Sequence, residues 1–309
     1  MPCENYPQIT YNNLIKHKSH RIIILLTNGL GNKLSTLALG LLFAKRNKIN
    51  DIIFIHVRSP HELDECYDLS LFTNLRIYSI KNKCLDDLFK YDNKSVIDNR
   101  FAANRYTKDV DPKLIIWTKF FTILQFMPNK DYTKKYFQKL YHKIYKYNSN
   151  VTIKNDVNNY SIGVHVRLGD FIDYNVMLNK DRFLILNPKY YIERINSITD
   201  SFIKIHGNKT TLRVYFFSDN TNNFIEKHIL PYIFISNVII PKEISAIDSL
   251  VALSRCDFLI LGQSSFSTTA MLLKRTIGLE YYPAVSVTKD FQDTYGIPLE
   301  DLDMYFGNK

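Results

Sequence analysis

Apolar residues in this chain follow two rhythms, unbroken runs and recurrences every three or four positions. Their alternation predicts parallel sheets covered by helices. The first run, Ile22-Ile23-Ile24-Leu25-Leu26, leaves no polar position to face water, as expected of a strand buried on both faces. Thr27-Asn28-Gly29-Leu30-Gly31-Asn32 reads as a turn. From Lys33 to Lys48, Leu34, Leu37, Ala38, Leu41, Leu42 and Ala44 recur at helical spacing. Asp51–Val57 is a second strand and Leu75–Ile80 a third, so the chain opens on a βαβ unit. From Asp98 to Asn159 the pattern is less regular. There Trp117–Met127 is apolar enough for a core helix, and Tyr132–Tyr147 alternates Lys with Tyr and Phe as an amphipathic helix would.

The second half alternates more cleanly. Strands are expected at Tyr160–Arg167, Leu212–Ser218, Phe234–Ile239, Asp257–Leu261 and Ile277–Tyr281. Helices are expected at Pro188–His206, opened by a proline in its first turn, and at Asn220–Ile229, Ile244–Arg255 and Ser264–Lys274. The polar, Asn-rich stretch Val151–Asn159 marks a boundary, giving two Rossmann-like domains, residues 1–158 and 159–309. In such α/β sheets a ligand sits at the carboxyl ends of the strands.

Composition adjusts this picture modestly. The 309 residues carry a formal charge of +10, but Lys is spread along the chain with no block of like charge, so no nucleic-acid partner is expected. Cys3, Cys66, Cys84 and Cys256 lie far apart without CxxC spacing, which indicates neither a zinc site nor a disulfide framework. Residues 1–20 hold no apolar stretch of signal-peptide length, and no run is long enough for a transmembrane segment. The expectation is a cytoplasmic or host-cytoplasmic chain. Asp109-Val110-Asp111 and Asp301-Leu302-Asp303 have metal-site spacing but lie in a polar segment and in the tail, so no metal is expected.

Four segments fall where a strand ends. In the first, Gly29-Leu30-Gly31-Asn32, the glycines suit either a tight structural turn or close backbone approach to a phosphate at the following helix. The second is Gly163-Val164-His165-Val166-Arg167-Leu168-Gly169-Asp170. Strand alternation puts His165 and Arg167 on one face, and the arginine fork suits a pyrophosphate. In the third, Ser218 and Asp219 end a strand, either as a helix cap or as a ligand contact. The fourth runs from Asp257 along a buried strand into Ser264, Ser265, Phe266, Ser267, Thr268 and Thr269. That is more hydroxyls than one cap needs, at a helix N-terminus.

Taken together, Gly-Leu-Gly-Asn, His-Val-Arg-x-Gly-Asp and Ser-Ser-Phe-Ser, in that order over residues 21–281, resemble the α-1,2-fucosyltransferases of glycosyltransferase family 11. The resemblance implies the GT-B architecture, two Rossmann-like domains facing across a cleft. It also implies metal-independent, inverting transfer of L-fucose from a GDP-sugar donor to a galactose-containing glycan acceptor. On matching positions, it implies that Arg167 holds the pyrophosphate and His165 lies beside the nucleotide. Asp257 would bond the guanine edge, and Ser264, Ser265 and Ser267, with Phe266 among them, would line the phosphates. The Gly29–Asn32 turn would close the site from the other domain. This chain departs from the family where a second Arg is usual (Leu168), where a Gln is usual (Lys33, an alternative source of charge) and where an aromatic pair is usual (Thr268-Thr269, a more polar wall).

The expected chemistry is a single displacement in which Arg167 and the amides opening the last helix stabilise charge on departing GDP. Asp170 or Asp173, nearest in sequence, would take the acceptor proton. Two alternatives stand beside it: transfer of another nucleotide sugar, or a non-catalytic glycan- or RNA-binding module using the Lys/Tyr segment.

Overall fold

A computed structural model of the chain describes residues 6–10, 21–26, 29–46, 48, 50–58, 67–79, 96–97, 114–117, 147, 150–153, 158–169, 171–173, 185–207, 210–218, 222–242, 244–274 and 280–281. It divides into two compact units, Met1–Tyr147 and Asn148–Lys309. The division falls before the boundary expected at residue 158, for a local reason. Asn150 is tied to the second unit, its backbone N–H and its side-chain amide both donating to the buried Asp248 carboxylate, at 2.9 and 3.1 Å.

The first unit is built on β1 (Arg21–Leu26), α1 (Leu30–Arg46), β2 (Asp51–His56), β3 (Ile77–Ser79), β4 (Val96–Ile97) and β5 (Leu114–Trp117). The five strands form one sheet in the order β3-β2-β1-β5-β4, and every pairing is parallel. The run that predicted a two-face-buried strand is such a strand: Ile23, Ile24, Leu25 and Leu26 are at most 1% exposed. Each such side chain contributes about 1.5–3 kcal/mol by leaving water. A segment ahead of β1 joins the sheet edge, with Gln8 bridging Ser79 in parallel.

Two expectations are corrected here. The helix after β1 begins at Leu30, so Gly31 and Asn32 lie in its first turn and not in a turn before it. Trp117 closes a strand and does not open a helix; one short strand stands where the pattern looked irregular and another just before it, because four and two residues give too little periodicity to read. The rest of Trp117–Met127, and residues 132–146 of the Lys/Tyr segment, lie outside the described residues.

The second unit contains β6 (Asn159–Val166), α2 (Pro188–His206), β7 (Thr211–Ser218), α3 (Asn222–His228), β8 (Val238–Ile239), α4 (Ala246–Arg255), β9 (Phe258–Ile260), α5 (Ser265–Leu273) and β10 (Glu280–Tyr281). Its sheet is again all parallel, in the order β10-β9-β6-β7-β8. Chain order therefore reverses between β6 and β9, which is the switch point where doubly wound sheets open a crevice at their carboxyl ends. The strand expected over Phe234–Ile239 shortens to Val238–Ile239, while α2 keeps its expected bounds.

Packing on β6 is divided by face. Ile162, Val164 and Val166 enter a core with Tyr190, Ile195 and Phe202 of α2 and Phe224 of α3. On the other face Gly163 lets α4 approach: a Cβ there would meet Leu253 Cδ1 at 2.8 Å and Cys256 Sγ at 2.9 Å. Burial pushes the Cys256 thiol up to about 12, opposed by Lys274 and a Ser161 hydrogen bond and aided by Asp257. The thiol therefore stays protonated at neutral pH, and we expect Cys256 to resist iodoacetamide until the protein is denatured, as peptide mass mapping would record.

Helix α2 shows sequence-coded ends. The Asn187 side chain accepts from Tyr190 N, Pro188 follows, and Gly207 closes the helix at φ 64°, ψ −160°. No atom lies within 4 Å of a Cβ placed on Gly207, so substitution there meets a conformational cost alone. Gly207→Ala should lower stability by about 1–2 kcal/mol in urea unfolding without changing the m-value.

Candidate functional site at the β6–β9 switch point

The site is assembled by one close approach. Register places Val164 beside Ile260, so the chain leaving β9 passes directly over the end of β6. At Gly262 a Cβ would lie 2.9 Å from His165 O and 3.4 Å from both Arg167 N and His165 Nδ1, so only glycine fits. From α2, Tyr190 Oη donates to Leu261 O at 3.0 Å in the interior and fixes the same corner. Sequence reading missed both residues. A glycine closing a buried strand was the available signal for the first, whereas nothing local marks a tyrosine 71 residues away from its partner.

Around this corner the structure gathers several of the predicted residues. His165 is 4% exposed and stacks on Phe266, with ring centroids 5.1 Å apart and planes 29° apart. Arg167, half-buried just past β6, sets its guanidinium 5.2 Å from the centre of the Phe171 ring, which holds a long cation in one place. Ser218 ends β7 level with Val166. Ser264 caps α5, its side chain accepting from Phe266 N at 3.2 Å, and Ser265 opens the helix half-buried. The result is an arginine, a buried histidine and the amide end of a nine-residue helix at one sheet edge.

The surplus hydroxyls have an internal explanation. Ser267, fully buried, donates to Gly262 O at 3.0 Å or Ser264 O at 3.2 Å. Thr268 and Thr269 bond back to Ser264 O and Ser265 O, at 3.0 and 2.8 Å. Thr268 and Thr269, read from the sequence as a more polar wall, are instead buried helix residues at 3% and 0% exposure. Leu168, in place of a second arginine, is a core residue with no exposed surface.

Asp257 does not join the group. It precedes β9 at the amino edge of the sheet, about five residues of chain and ~16 Å from Gly262 at strand rise. Its Oδ2 accepts from Ser161 N at 2.9 Å and Ser161 Oγ at 3.0 Å, and Ser161 Oγ in turn accepts from Asp257 N at 3.1 Å. The buried Lys274 donates to Cys256 O and, at 2.8 Å, to Asp257 O. This carboxylate pins β9 to β6. Asp173 is exposed at the end of the short turn after Arg167, while Asp170 and Asp219 lie outside the described residues.

Gly29 and Asn32 belong to the first unit, where Gly29 O accepts the Lys33 N–H at 3.1 Å and Gly31 O accepts from Ser35 Oγ at 2.5 Å. Lys33, read as an alternative source of charge for a ligand, is fully buried with its ammonium 3.0 Å from His56 Nε2 and 2.6 Å from Val57 O. Two carboxamide oxygens beside the glycine-bearing strand ends, Asn32 Oδ1 and Gln263 Oε1, are buried without a hydrogen-bond partner. Such an orphan costs about 1–3 kcal/mol, which a ligand donor recovers.

The sequence profile described as Glycosyl transferase family 11 matches residues 78–291, well over half of the chain. The chain belongs to glycosyl transferase family 11. Every β6–β9 site residue described above lies inside that match. No curated protein matches the chain in sequence. Among solved structures, the fucosyltransferase NodZ from Bradyrhizobium is similar at 14% identity and TM-score 0.47, over 83% of this chain and 94% of that one. The apo form of POFUT1 is similar at 12% identity and TM-score 0.45, over 86% and 98%. A point mutant of Arabidopsis thaliana FUT1 in complex with GDP is similar at 15% identity and TM-score 0.46, over 93% and 76%.

For this family 11 member, Asp257→Ala should cost about 2 kcal/mol in thermal or urea unfolding, because Ser161 loses a charged partner. Nucleotide affinity measured on the folded variant should stay at the wild-type value; a large loss would return Asp257 to the binding site.

Proposed function

We propose that the chain transfers L-fucose from GDP-fucose to a galactose-containing glycan with inversion, forming an α-1,2 linkage, without a metal. The GT-B arrangement of the family is part of the same reading. The observation that carries it is the meeting of Arg167, His165 and the α5 N-terminus at the β6–β9 switch point of a family 11 glycosyltransferase.

Arg167 can bond two oxygens of a pyrophosphate in parallel. The first amides of α5 present further donors to the same charge. Both interactions strengthen as the bond to the anomeric carbon breaks and charge grows on GDP, so they lower the barrier and do more than hold substrate. The His165–Phe266 stack forms a flat apolar wall beside them, suited to a nucleoside. Ser218, Ser264 and Ser265 belong to the donor-binding set of this reading, as do Gly29, Gly31 and Asn32. The acceptor proton goes to Asp170 or Asp173.

Calorimetry with GDP, UDP and ADP in the presence of a chelator tests the proposal. The expected outcome is selective GDP binding, lost on Arg167→Ala, with transfer from GDP-fucose slowed about a hundredfold or more. Product linkage is then read by NMR on a galactose-ended acceptor. Preference for UDP would discard fucose, and a requirement for Mg²⁺ or Mn²⁺ would discard the metal-free mechanism. Absence of any nucleotide affinity would discard the transferase reading of the site.

A further inference from the structure

We propose that Lys33 is a positioning residue: its buried ammonium clamps the first turn of α1 to the end of β2 and so holds Asn32 ready for the donor. This rests on the donor-binding reading of Asn32 given above.

The clamp is a closed circuit. Lys33 is 0% exposed and His56 2% exposed. The Lys33 ammonium lies 3.0 Å from His56 Nε2 and 2.6 Å from Val57 O, and 5.7 Å from the centre of the Tyr67 ring. Val57 N donates to Leu26 O at 3.0 Å, so the end of β2 is itself tied to the end of β1. Tyr6 stacks on the His56 ring, centroids 5.0 Å apart at 28°. The Tyr6 hydroxyl then donates to Tyr67 O at 2.5 Å and accepts from Leu69 N at 2.7 Å. An ammonium has only protons to give, so Nε2 must accept, and the neutral ring carries its proton on Nδ1.

What the clamp holds is a turn that would otherwise relax. Asn32 Oδ1 is buried without a hydrogen-bond partner, and one turn further on the fully buried Thr36 Oγ1 is also without one. Spaced by four, these two share a helix face. A helix end free to shift would reorient to satisfy such atoms, since each orphan is costly. Lys33 is the adjacent residue, and its side chain fastens that end to two strands. The usual glutamine has two donors on a shorter arm, and lysine supplies three with longer reach.

The test is a double-mutant cycle on the whole chain, reading the dissociation constant of GDP-fucose by calorimetry. Lys33→Met should weaken binding about tenfold, and on an Asn32→Ala background it should cost nothing further, because the two residues act as one unit. Lys33→Gln should recover most of the affinity. Nitrogen-15 NMR should show His56 as the Nδ1–H tautomer in the wild type and a mixture in Lys33→Met. If Lys33→Met does not fold, Lys33→Arg, which keeps donors in a different geometry, takes its place in the cycle. Additive losses, or an unchanged constant in Lys33→Met, would overturn the positioning role while leaving the donor site standing. A wild type that binds no GDP-fucose would overturn both, and an Nε2–H ring in the wild type would overturn the clamp whatever the affinity.

Discussion

The second unit depends on one close approach, that of Gly262 over the carboxyl end of β6. With Cβ room there limited to 2.9 Å from a backbone oxygen, the two chains touch at a place where any side chain would part them. That contact puts the start of α5 beside His165 and Arg167, and it lets Phe266 reach the histidine ring. Tyr190 braces the corner from α2 on the core side, and the Asp257–Ser161 pair braces the far end of the same two strands. The strands are thus held at both ends, and the carboxyl end presents Arg167 and the first amides of α5. A site built on such braced strands is preorganised, which is what stabilising transition-state charge requires.

Much of this was legible in the chain because parallel sheets write themselves plainly. Strands buried on both faces leave unbroken apolar runs, and β1 lies where the run Ile22–Leu26 does, while β6 shows instead as Ile162, Val164 and Val166 alternating. Alternation alone placed His165 away from the core residues Val164 and Val166. Short strands were not legible. Val96–Ile97 and Leu114–Trp117 exist as strands through pairing with β1 and each other, a tertiary cause that leaves no period in the sequence. Pro188–His206 was read to its bounds because cap and proline act locally, whereas the α1 start was misplaced by the glycines, which signal a turn but are tolerated in a first helical turn.

Candidate site residues divide along the same line. Arg167, His165 and the α5 cap, each read at a strand end, are brought together at the β6–β9 corner. Asp257 lies at the amino end of β9 on Ser161, because sequence proximity to a strand does not tell which end of the strand a residue occupies. Ser267, Thr268 and Thr269 were over-read for a related reason. Hydroxyls that bond back to carbonyls within their own helix look, in sequence, the same as hydroxyls offered to a ligand.

The family departures can now be weighed by what each side chain touches. Leu168 removes a cation and fills the core, and Thr268 and Thr269 satisfy their hydroxyls internally, so none of the three adds a polar group to the site. Lys33 adds a cation to the chain but commits it to His56 and Val57, so it does not replace the missing arginine as an anion ligand. Of the motif's two cationic positions, Arg167 alone carries charge at the β6 end. An anion held there leans correspondingly more on the α5 amides, whose contribution is fixed by helix geometry and not by side-chain identity. In the proposed reading, a diphosphate departing there would meet one motif cation and backbone donors whose direction the helix fixes.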